Sequence, residues 1–252
     1  MKSYQEHLHK FEELSSSNDE AKRECYIEGD LIVAEHQLKG RGQRGHTWLS
    51  DRGMNLTATL RLEPHFLRAS EQFLISELVA LALCDMLQVY GIRAEIKWTN
   101  DIYVGGKKIA GILIEHTLSG ENLKSTIVGV GLNINQRVFS PELPNPTSMA
   151  NILGRELSRE DVVESLWRTL MARYVQLRDG KVSMIEGDYL KRIYRLNQEQ
   201  RFRLPSGEEV DGVIRGVEHR GDLVVEHPDH KICKYMFREV EFVIEKSDNQ
   251  QK

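Results

Sequence analysis

Residues 107–118 read KKIAGILIEHTL, and residues 125–135 read STIVGVGLNIN. Both stretches are dominated by Ile, Val and Leu, which favours buried strands. AEIKW (94–98) is a third strand candidate, and the turn VGGK joins it to the first stretch. Further upstream, LIVAEHQ (31–37) is a fourth candidate and NLTATLRL (55–62), which alternates apolar and polar residues, is a fifth.

Helical patterns flank these strands. Residues 71–90 carry apolar side chains at helical spacing and end at Gly91. Two further helices are predicted over 158–178, with Ser158 and Asp161 as a capping pair, and over 184–195. A short helix over 5–14 and a strand over 25–27 are also predicted. The mixture indicates an α+β fold, with a mixed, mainly antiparallel sheet and flanking helices.

The pattern changes after Leu196. Helical periodicity stops, and short β runs follow, separated by the turn signals PSG, RGD and PDH. They predict a small, partly closed β-barrel of the SH3-like type. We therefore expect two domains, residues 1–196 and residues 197–252.

Composition restricts the possible function. The 252 residues include 38 acidic and 34 basic side chains, for a net charge of −4, which disfavours a protein that wraps nucleic acid. Three cysteines lie far apart without a CxxC spacing, as in a reducing compartment. The N-terminus has no signal-peptide core. Glu77 and Asp85 interrupt the most apolar stretch, so we expect a cytoplasmic protein that does not span a membrane.

The loop Gly40-Arg41-Gly42-Gln43-Arg44-Gly45 matches GxGxxG, but a strand rather than a helix follows it, so the dinucleotide-binding interpretation fails. No GK[ST] is present, which excludes a Walker A loop. Three glycines can turn backbone N–H groups inward as an anion nest, and two arginines add fixed positive charge. A phosphate-bearing ligand would suit this loop. The alternative is a flexible hairpin tip with solvated arginines.

The segment Lys97-Trp98-Thr99-Asn100-Asp101 ends a strand. Asn100 and Asp101 either initiate a turn or help to hold Mg²⁺ through oxygen ligands. Lys108 is either an edge residue or a cation aimed into a pocket.

Glycines interrupt the two long strands. Gly111, and the pair in GVGLNIN that ends with Gly131, indicate close approach of a ligand or a β-bulge. Trp48 alone could be a core residue, and the histidines of HPDH (227–230) fit a solvated turn better than a metal site.

Together these segments resemble the biotin protein ligase family. The matching pieces are SSN (16–18), Gln37 with GRGQRGHTW (40–48), KWTNDIY (97–103), KKIAGILIE (107–115) and GVGLNIN (129–135), in the family's order. The resemblance implies a catalytic fold shared with lipoate ligases and class II synthetases. It also implies a two-step reaction in which biotin and ATP give biotinyl-5′-AMP and pyrophosphate, and a lysine of a biotin carboxyl carrier protein then takes the biotin.

The resemblance assigns roles to individual residues. It implies that Lys108, Arg41 and Arg44 act in catalysis, with Lys108 between the biotin carboxylate and the α-phosphate. It implies a magnesium ion at Asn100 and Asp101. The implied substrate-binding residues are Ser16, Ser17, Asn18, Gln37, Gly40, Arg41, Gly42, Gln43, Gly45, Trp48, Lys108, Gly111, Gly131 and Asn133. Of these, Gly111 and Gly131 would make room for the biotin ring, and Asn133 would face the phosphate or its metal.

Departures from the family pattern are informative. The common loop is GRGRRGR, so Gln43 and His46 replace two arginines, and we expect faster escape of biotinyl-AMP. Thr99 replaces the usual proline of KWPND, and Ser17 replaces a common threonine. The first motif begins near Ser15, so we expect no N-terminal DNA-binding domain and no binding of DNA.

Two other functions are alternatives at this point. A lipoate ligase or octanoyl transferase has the same fold, and a non-catalytic binding module would use the barrel for a peptide. The barrel is also expected either to dock the carrier or to complete the ATP site. A homodimer through an exposed sheet edge is left open.

Overall fold

The computed structural model describes residues 3–45 and 47–244. Seven strands form the main sheet in the order β1-β2-β3-β7-β6-β5-β4. Their bounds are β1 (Leu8–Phe11), β2 (Leu31–Ala34), β3 (Leu56–Leu62), β4 (Glu95–Lys97), β5 (Asp101–Val104), β6 (Lys107–Ser119) and β7 (Asn122–Leu132). Every neighbouring pair is antiparallel except β1 and β2. The predicted α+β class with a mainly antiparallel sheet is confirmed.

Six α-helices accompany the sheet. They are α1 (Tyr4–His7), α2 (Ser17–Ala21), α3 (Phe73–Val89), α4 (Met149–Leu153), α5 (Arg159–Arg178) and α6 (Val182–Lys191). Ser158 caps α5 as predicted, because its hydroxyl accepts from the Asp161 amide at 3.2 Å. The predicted helix over 184–195 is present, but it begins and ends a few residues earlier.

Helix α3 is the centre of the core. Thirteen of its seventeen residues are buried, against the sheet and against α5 and α6. Residues Ala69–Val89 are long and apolar enough to cross a membrane by length and composition alone. Glu77 and Asp85 therefore do not decide the question for this helix. Its burial inside the protein is what marks this helix as a core helix, since most of its surface already has protein partners.

Three local predictions were wrong. The helix expected over 5–14 ends at His7, because Leu8–Phe11 pairs in parallel with β2 instead. The strand expected over 25–27 is irregular backbone between two turns, where the Tyr26 hydroxyl donates to Glu20 at 2.8 Å. Residues 101–104 form a separate strand, β5, where only a turn was expected.

The C-terminal β runs form a second sheet, in the order β11-β10-β9-β8-β12. Its strands are β8 (Glu199–Arg203), β9 (Glu209–Val217), β10 (Leu223–Glu226), β11 (Ile232–Tyr235) and β12 (Glu241–Phe242). This agrees with an SH3-like domain, although the described strands leave two edges and no closed barrel. The division at residue 196 stays a prediction.

Two contacts join the C-terminal sheet to the main domain close to the KWTND segment. The Trp98 indole N–H donates to the Gly221 carbonyl at 2.8 Å. Gly221 also lies against the Phe73 ring, where a Cβ would come within 2.5 Å of Cδ2. A buried hydrogen bond and a tight apolar contact therefore fix the second sheet beside the strand that carries Lys97.

Candidate active site

Two neighbouring cavities open on one face of the main sheet. The smaller, of about 60 Å³, is called the slot below, and the larger, of about 500 Å³, the outer cavity. The slot is lined by side chains or backbone of Ser16, Ser17, Asn18, Gln37, Arg41, Gly42, Gln43, Trp48, Thr57, Ala58, Asn100, Lys108, Gly111, Ile112, Leu113, Gly129, Val130 and Gly131. Among the predicted site residues whose placement is described, all line the slot except Gly40, Gly45, Asp101 and Asn133.

Five residues line both cavities: Gly42, Gln43, Trp48, Asn100 and Lys108. We call this set the shared wall. It places one lysine where the contents of two cavities would meet. A site of this form can bring two molecules together at one cation.

Small polar residues are held in a fixed arrangement at one end of the slot. The Ser17 amide donates to Gln37 Oε1 at 2.6 Å. Thr59 Oγ1 lies 2.7 Å from Asn18 Oδ1 and 2.8 Å from Ser17 Oγ. Because an amide oxygen can only accept, Thr59 donates to Asn18 and accepts from Ser17. The slot therefore presents pre-oriented donors and acceptors beside apolar strand residues, as small-molecule sites do.

Trp48 lies on two glycines of the sheet, Gly111 and Gly131. A Cβ on Gly131 would overlap the indole, and a Cβ on Gly111 would come within 3.2 Å of Cζ3. These glycines thus make room for Trp48, while their predicted role toward a biotin ring stays a prediction. The Trp48 indole N–H is buried and has no acceptor among the described residues. Such an orphaned donor in a cavity wall is typical of a ligand site.

The glycine-rich loop is a hairpin. The Trp48 amide donates to the Gly40 carbonyl at 3.0 Å, and Arg41 pairs with Thr47 in an antiparallel bridge. A Cβ on Gly40 would come within 2.6 Å of the Trp48 carbonyl oxygen, so this position requires glycine. The tip, Gln43–Gly45, is one turn of 3₁₀ helix, and no α-helix follows it. The Arg44 side chain and His46 lie outside the described part of the chain.

An ion-pair cluster stands at the shared wall. Lys108 Nζ lies 2.7 Å from Asp101 Oδ1, and Lys97 Nζ lies 3.9 Å from Asp101 Oδ2. Lys108 Nζ also lies 5.8 Å from the Trp48 ring centroid, and Lys97 Nζ lies 4.8 Å from that of Phe242. Two cations share one carboxylate at this point, and Glu241 adds a second carboxylate to the lining of the outer cavity. The lysine ammonium groups are the parts of this cluster that suit an anion.

The predicted magnesium ligands have other partners. Asp101 is engaged by Lys108, and the Asn100 amide donates to the Ile112 carbonyl at 3.0 Å. Within residues 3–45 and 47–244, no group of three or more His, Cys, Asp or Glu side chains could hold a metal ion. The residues present thus do not form a built metal centre, and magnesium at Asn100 and Asp101 stays a prediction. Asn133 lines the outer cavity and donates to the Thr147 carbonyl at 2.9 Å.

Arg41 lies at the slot, but its guanidinium points to carboxylates. Arg41 Nη2 lies 2.8 Å from Asp19 Oδ1 and 3.0 Å from Glu115 Oε2. Its predicted catalytic role is not tested by this arrangement. Burial works to raise the pKa of Glu115, but hydrogen bonds from Lys22 and Asn18 and the nearby positive charges outweigh it, so the pKa is lowered.

Sequence reasoning missed part of the site. The outer cavity is partly lined by the C-terminal region, through Phe237, Val240, Glu241, Phe242 and Ile244. The C-terminal region was expected either to dock the carrier or to complete the ATP site, but no motif in it pointed to these residues. Thr59 was also missed, although the alternation of β3 could have found it, since it shares a face with Thr57.

Comparisons with known proteins identify the family. The model of the "Biotin/lipoate A/B protein ligase family" matches residues 12–133. The biotin–[acetyl-CoA-carboxylase] ligase of Paracoccus denitrificans is 30% identical over 206 residues, which cover 78% of this chain and 84% of that protein. The bifunctional ligase/repressor BirA of Bacillus subtilis is 34% identical over 151 residues. That alignment covers 58% of this chain, and the chain spans about half of that relative's length (46%).

The fold has solved counterparts. A biotin protein ligase from Aquifex aeolicus, in complex with biotin and ATP, superposes with a TM-score of 0.80 over 94% of this chain and 99% of that one, at 23% identity. The fold is thus that of the biotin/lipoate ligase class. With a biotin ligase matched over most of its length at 30% identity, the chain belongs to the biotin protein ligase family.

Proposed function

We propose that the chain joins biotin to ATP, forming biotinyl-5′-AMP and pyrophosphate, and then transfers biotin to a lysine of a biotin carboxyl carrier protein or domain. One observation carries the proposal: the slot and the outer cavity meet at the shared wall, where Lys108 is the cation. A carboxylate bound in one cavity and an α-phosphate bound in the other would both be next to that lysine.

The slot suits the vitamin. The ureido group of biotin has both N–H donors and a carbonyl acceptor, and it needs matched partners in an apolar surrounding. Ser16, Ser17, Asn18 and Gln37 offer hydroxyl and amide groups there. The relatives named above are biotin ligases, which favours biotin over the lipoate or octanoyl alternative.

The outer cavity suits the nucleotide. It has about 500 Å³ and is walled by aromatic and apolar side chains, including Trp48 and Phe242, that can pack on a base. Lys97, Lys108 and Asn133 also line it. A cavity that combines ring faces with two lysines fits a purine and its phosphates.

The chemistry follows from placing two anions together. A biotin carboxylate oxygen attacks the α-phosphorus of ATP, and the bond from that phosphorus to the leaving pyrophosphate breaks. Lys108 offsets the repulsion between the two anions and stabilises the charge that develops. Gly40, Gly42, Gln43 and Gly45 supply backbone amides around the adenylate, and Arg41 and Arg44 supply charge. Mg²⁺ would enter with ATP as the counter-ion of its phosphates.

The second half-reaction transfers biotin from biotinyl-AMP to the carrier. The amine of the carrier lysine attacks the acyl carbonyl of biotinyl-AMP, an amide bond forms, and AMP leaves with the bonding electrons. A closed glycine-rich hairpin protects the anhydride from water until the amine arrives. We place this reaction in the cytoplasm, and cysteines 25, 84 and 233, which are all free thiols, agree with a reducing compartment.

The test is acyl-dependent exchange of labelled pyrophosphate into ATP. We expect the purified chain to catalyse exchange with biotin and much less with lipoate or octanoate. Addition of a carrier domain should give stable biotinylation of one lysine. Exchange that prefers lipoate would establish the alternative ligase, and no exchange with any acid would support a binding module instead.

A further inference from the structure

We infer that Glu115 is a positioning residue that ties the slot residue Asn18 to Arg41 at the base of the glycine-rich hairpin. This inference rests on the proposed function, because both of its consequences are measured in biotin activation. Glu115 touches neither reacting group. It acts through the two residues that it holds.

Glu115 has three partners across the mouth of the slot. Its Oε2 accepts from Asn18 Nδ2 at 2.9 Å and from Arg41 Nη2 at 3.0 Å, and its Oε1 accepts from Lys22 Nζ at 2.9 Å. These partners come from α2 and from the hairpin, far from β6 in sequence. The Glu115 side chain is 29% exposed, so it stands at the boundary of the slot.

The contact with Asn18 fixes which way the amide points. Asn18 Oδ1 accepts from Thr59, and its Nδ2 group donates to Glu115 and, at 3.4 Å, to the Leu113 carbonyl. Without the carboxylate, the Nδ2 group keeps only the long bond to Leu113. The Asn18 amide would then be fixed mainly through its oxygen, which accepts from Thr59.

The contact with Arg41 holds one side of the hairpin. Arg41 and Thr47 face each other across its base, and Trp48 anchors the other side on Gly131. Arg41 Nη2 is shared between Glu115 and Asp19. Hydrogen bonds between charged partners are stronger than neutral ones, so this pair favours the closed hairpin.

Charge in this cluster is balanced. Two cations, Lys22 and Arg41, meet two carboxylates, Asp19 and Glu115. The lowered pKa of Glu115 keeps it ionised at neutral pH. One ionised carboxylate therefore couples occupation of the slot to closure of the loop above it.

The experiment compares Glu115→Leu and Glu115→Gln with a matched control, Glu35→Leu. Glu35 is 31% exposed, pairs with Arg159 at 2.6 Å and lines neither cavity. We expect Glu115→Leu to raise the KM for biotin about tenfold, the value of one hydrogen bond to a charged group, with the KM for ATP changed less than about twofold. Glu115→Gln keeps one acceptor oxygen and should recover part of the loss.

Escape of biotinyl-AMP is the second readout, measured as biotin label on a bystander protein. Asp19→Asn removes the charge of one carboxylate partner of Arg41 and keeps the contacts of the Asn18 side chain, so it should raise the label up to about fivefold without changing the KM for biotin. Arg41→Met combined with Glu115→Leu should raise it no further than Arg41→Met alone. Thermal melting checks that each variant is folded.

The outcomes separate the two proposals. Failure of the wild type to catalyse biotin-dependent exchange overturns the proposed function. With an active wild type, the inference about Glu115 is overturned if Glu115→Leu and Glu35→Leu have the same KM for biotin and the same bystander label. Equal increases in the KM for biotin and for ATP would also overturn it, because they would indicate a general structural role.

Discussion

Removal of the Lys108 ammonium should nearly abolish adenylate formation and leave the fold intact. The perturbation is Lys108→Ala. Lys108 Nζ stands at the shared wall, 2.7 Å from Asp101 Oδ1, and its side chain is 33% exposed. Among the described side chains, Lys108 is the one cation that lines both cavities. Arg41 lines the slot alone, and Lys97 lines the outer cavity alone.

The magnitude follows from simple electrostatics. A unit charge 4 Å from a developing phosphate charge near a protein surface contributes about 4 kcal/mol. Loss of one pre-organised group that stabilises a transition state costs about 100-fold to 1,000-fold in rate, which is the same range. The cost in stability is smaller, because an ion pair that reaches solvent contributes about 1 kcal/mol and Asp101 keeps Lys97 at 3.9 Å.

The assay is the initial rate of biotin-dependent pyrophosphate exchange at saturating biotin and ATP, with the urea midpoint as the measure of stability. Lys107→Ala is the matched control, because Lys107 is the preceding residue of β6 and lines neither cavity. We expect a rate at least about 100-fold below that of the control, at a similar urea midpoint. If both variants exchanged at similar rates, the assignment of Lys108 to the reacting centre would be wrong.

Three further predictions concern the loop, a domain contact and a buried carboxyl. Gln43→Arg restores a charge at the shared wall and should lower bystander labelling several-fold; unchanged labelling would contradict the leakage hypothesis. Gly221→Ala should lower the free energy of unfolding in urea by about 2–4 kcal/mol, because its φ is +99° and an added Cβ would meet the Phe73 ring. Gly207→Ala is the control, because Gly207 has a φ of +89° but open space around an added Cβ. Equal losses of stability in the two variants would refute the clash. Burial raises the pKa of Glu77 from 4.5 to about 8. Between these two pH values unfolding releases a proton, so the free energy of unfolding should fall as the pH rises, by up to about 1.4 kcal/mol per pH unit. Glu77→Gln should remove this slope, and identical slopes for the variant and the wild type would disprove the raised pKa.

The strands of the main sheet could be predicted because their signal is local. The apolar runs of β6 and β7 decide their own structure, and Ser158 marks a helix start through its nearest neighbours. Leu8–Phe11 was missed because half of its residues are polar or basic, and only pairing with β2 makes it a strand. Tertiary contacts override a weak local preference there.

The candidate site divides in the same way. Short motifs placed the glycine-rich hairpin, Lys108 and Asn18, because each motif carries its own residues. The partners of these residues could not be read from the motifs. Arg41 meets Glu115 across 74 positions, and Trp98 meets Gly221 across 123. Only the folded chain brings such pairs together, so the charge state of the site was harder to predict than its location.

The last described strand, β12, contributes to the outer cavity but not to the slot. The two parts of the site therefore depend differently on the C-terminal residues. The slot is built by segments that precede residue 132, whereas the outer cavity borrows Glu241 and Phe242 from β12. Under the proposed function, substitutions in these final residues would change the recognition of ATP and leave the recognition of biotin unchanged. Substitutions in β12 are one route by which relatives with the same slot could acquire different affinities for ATP.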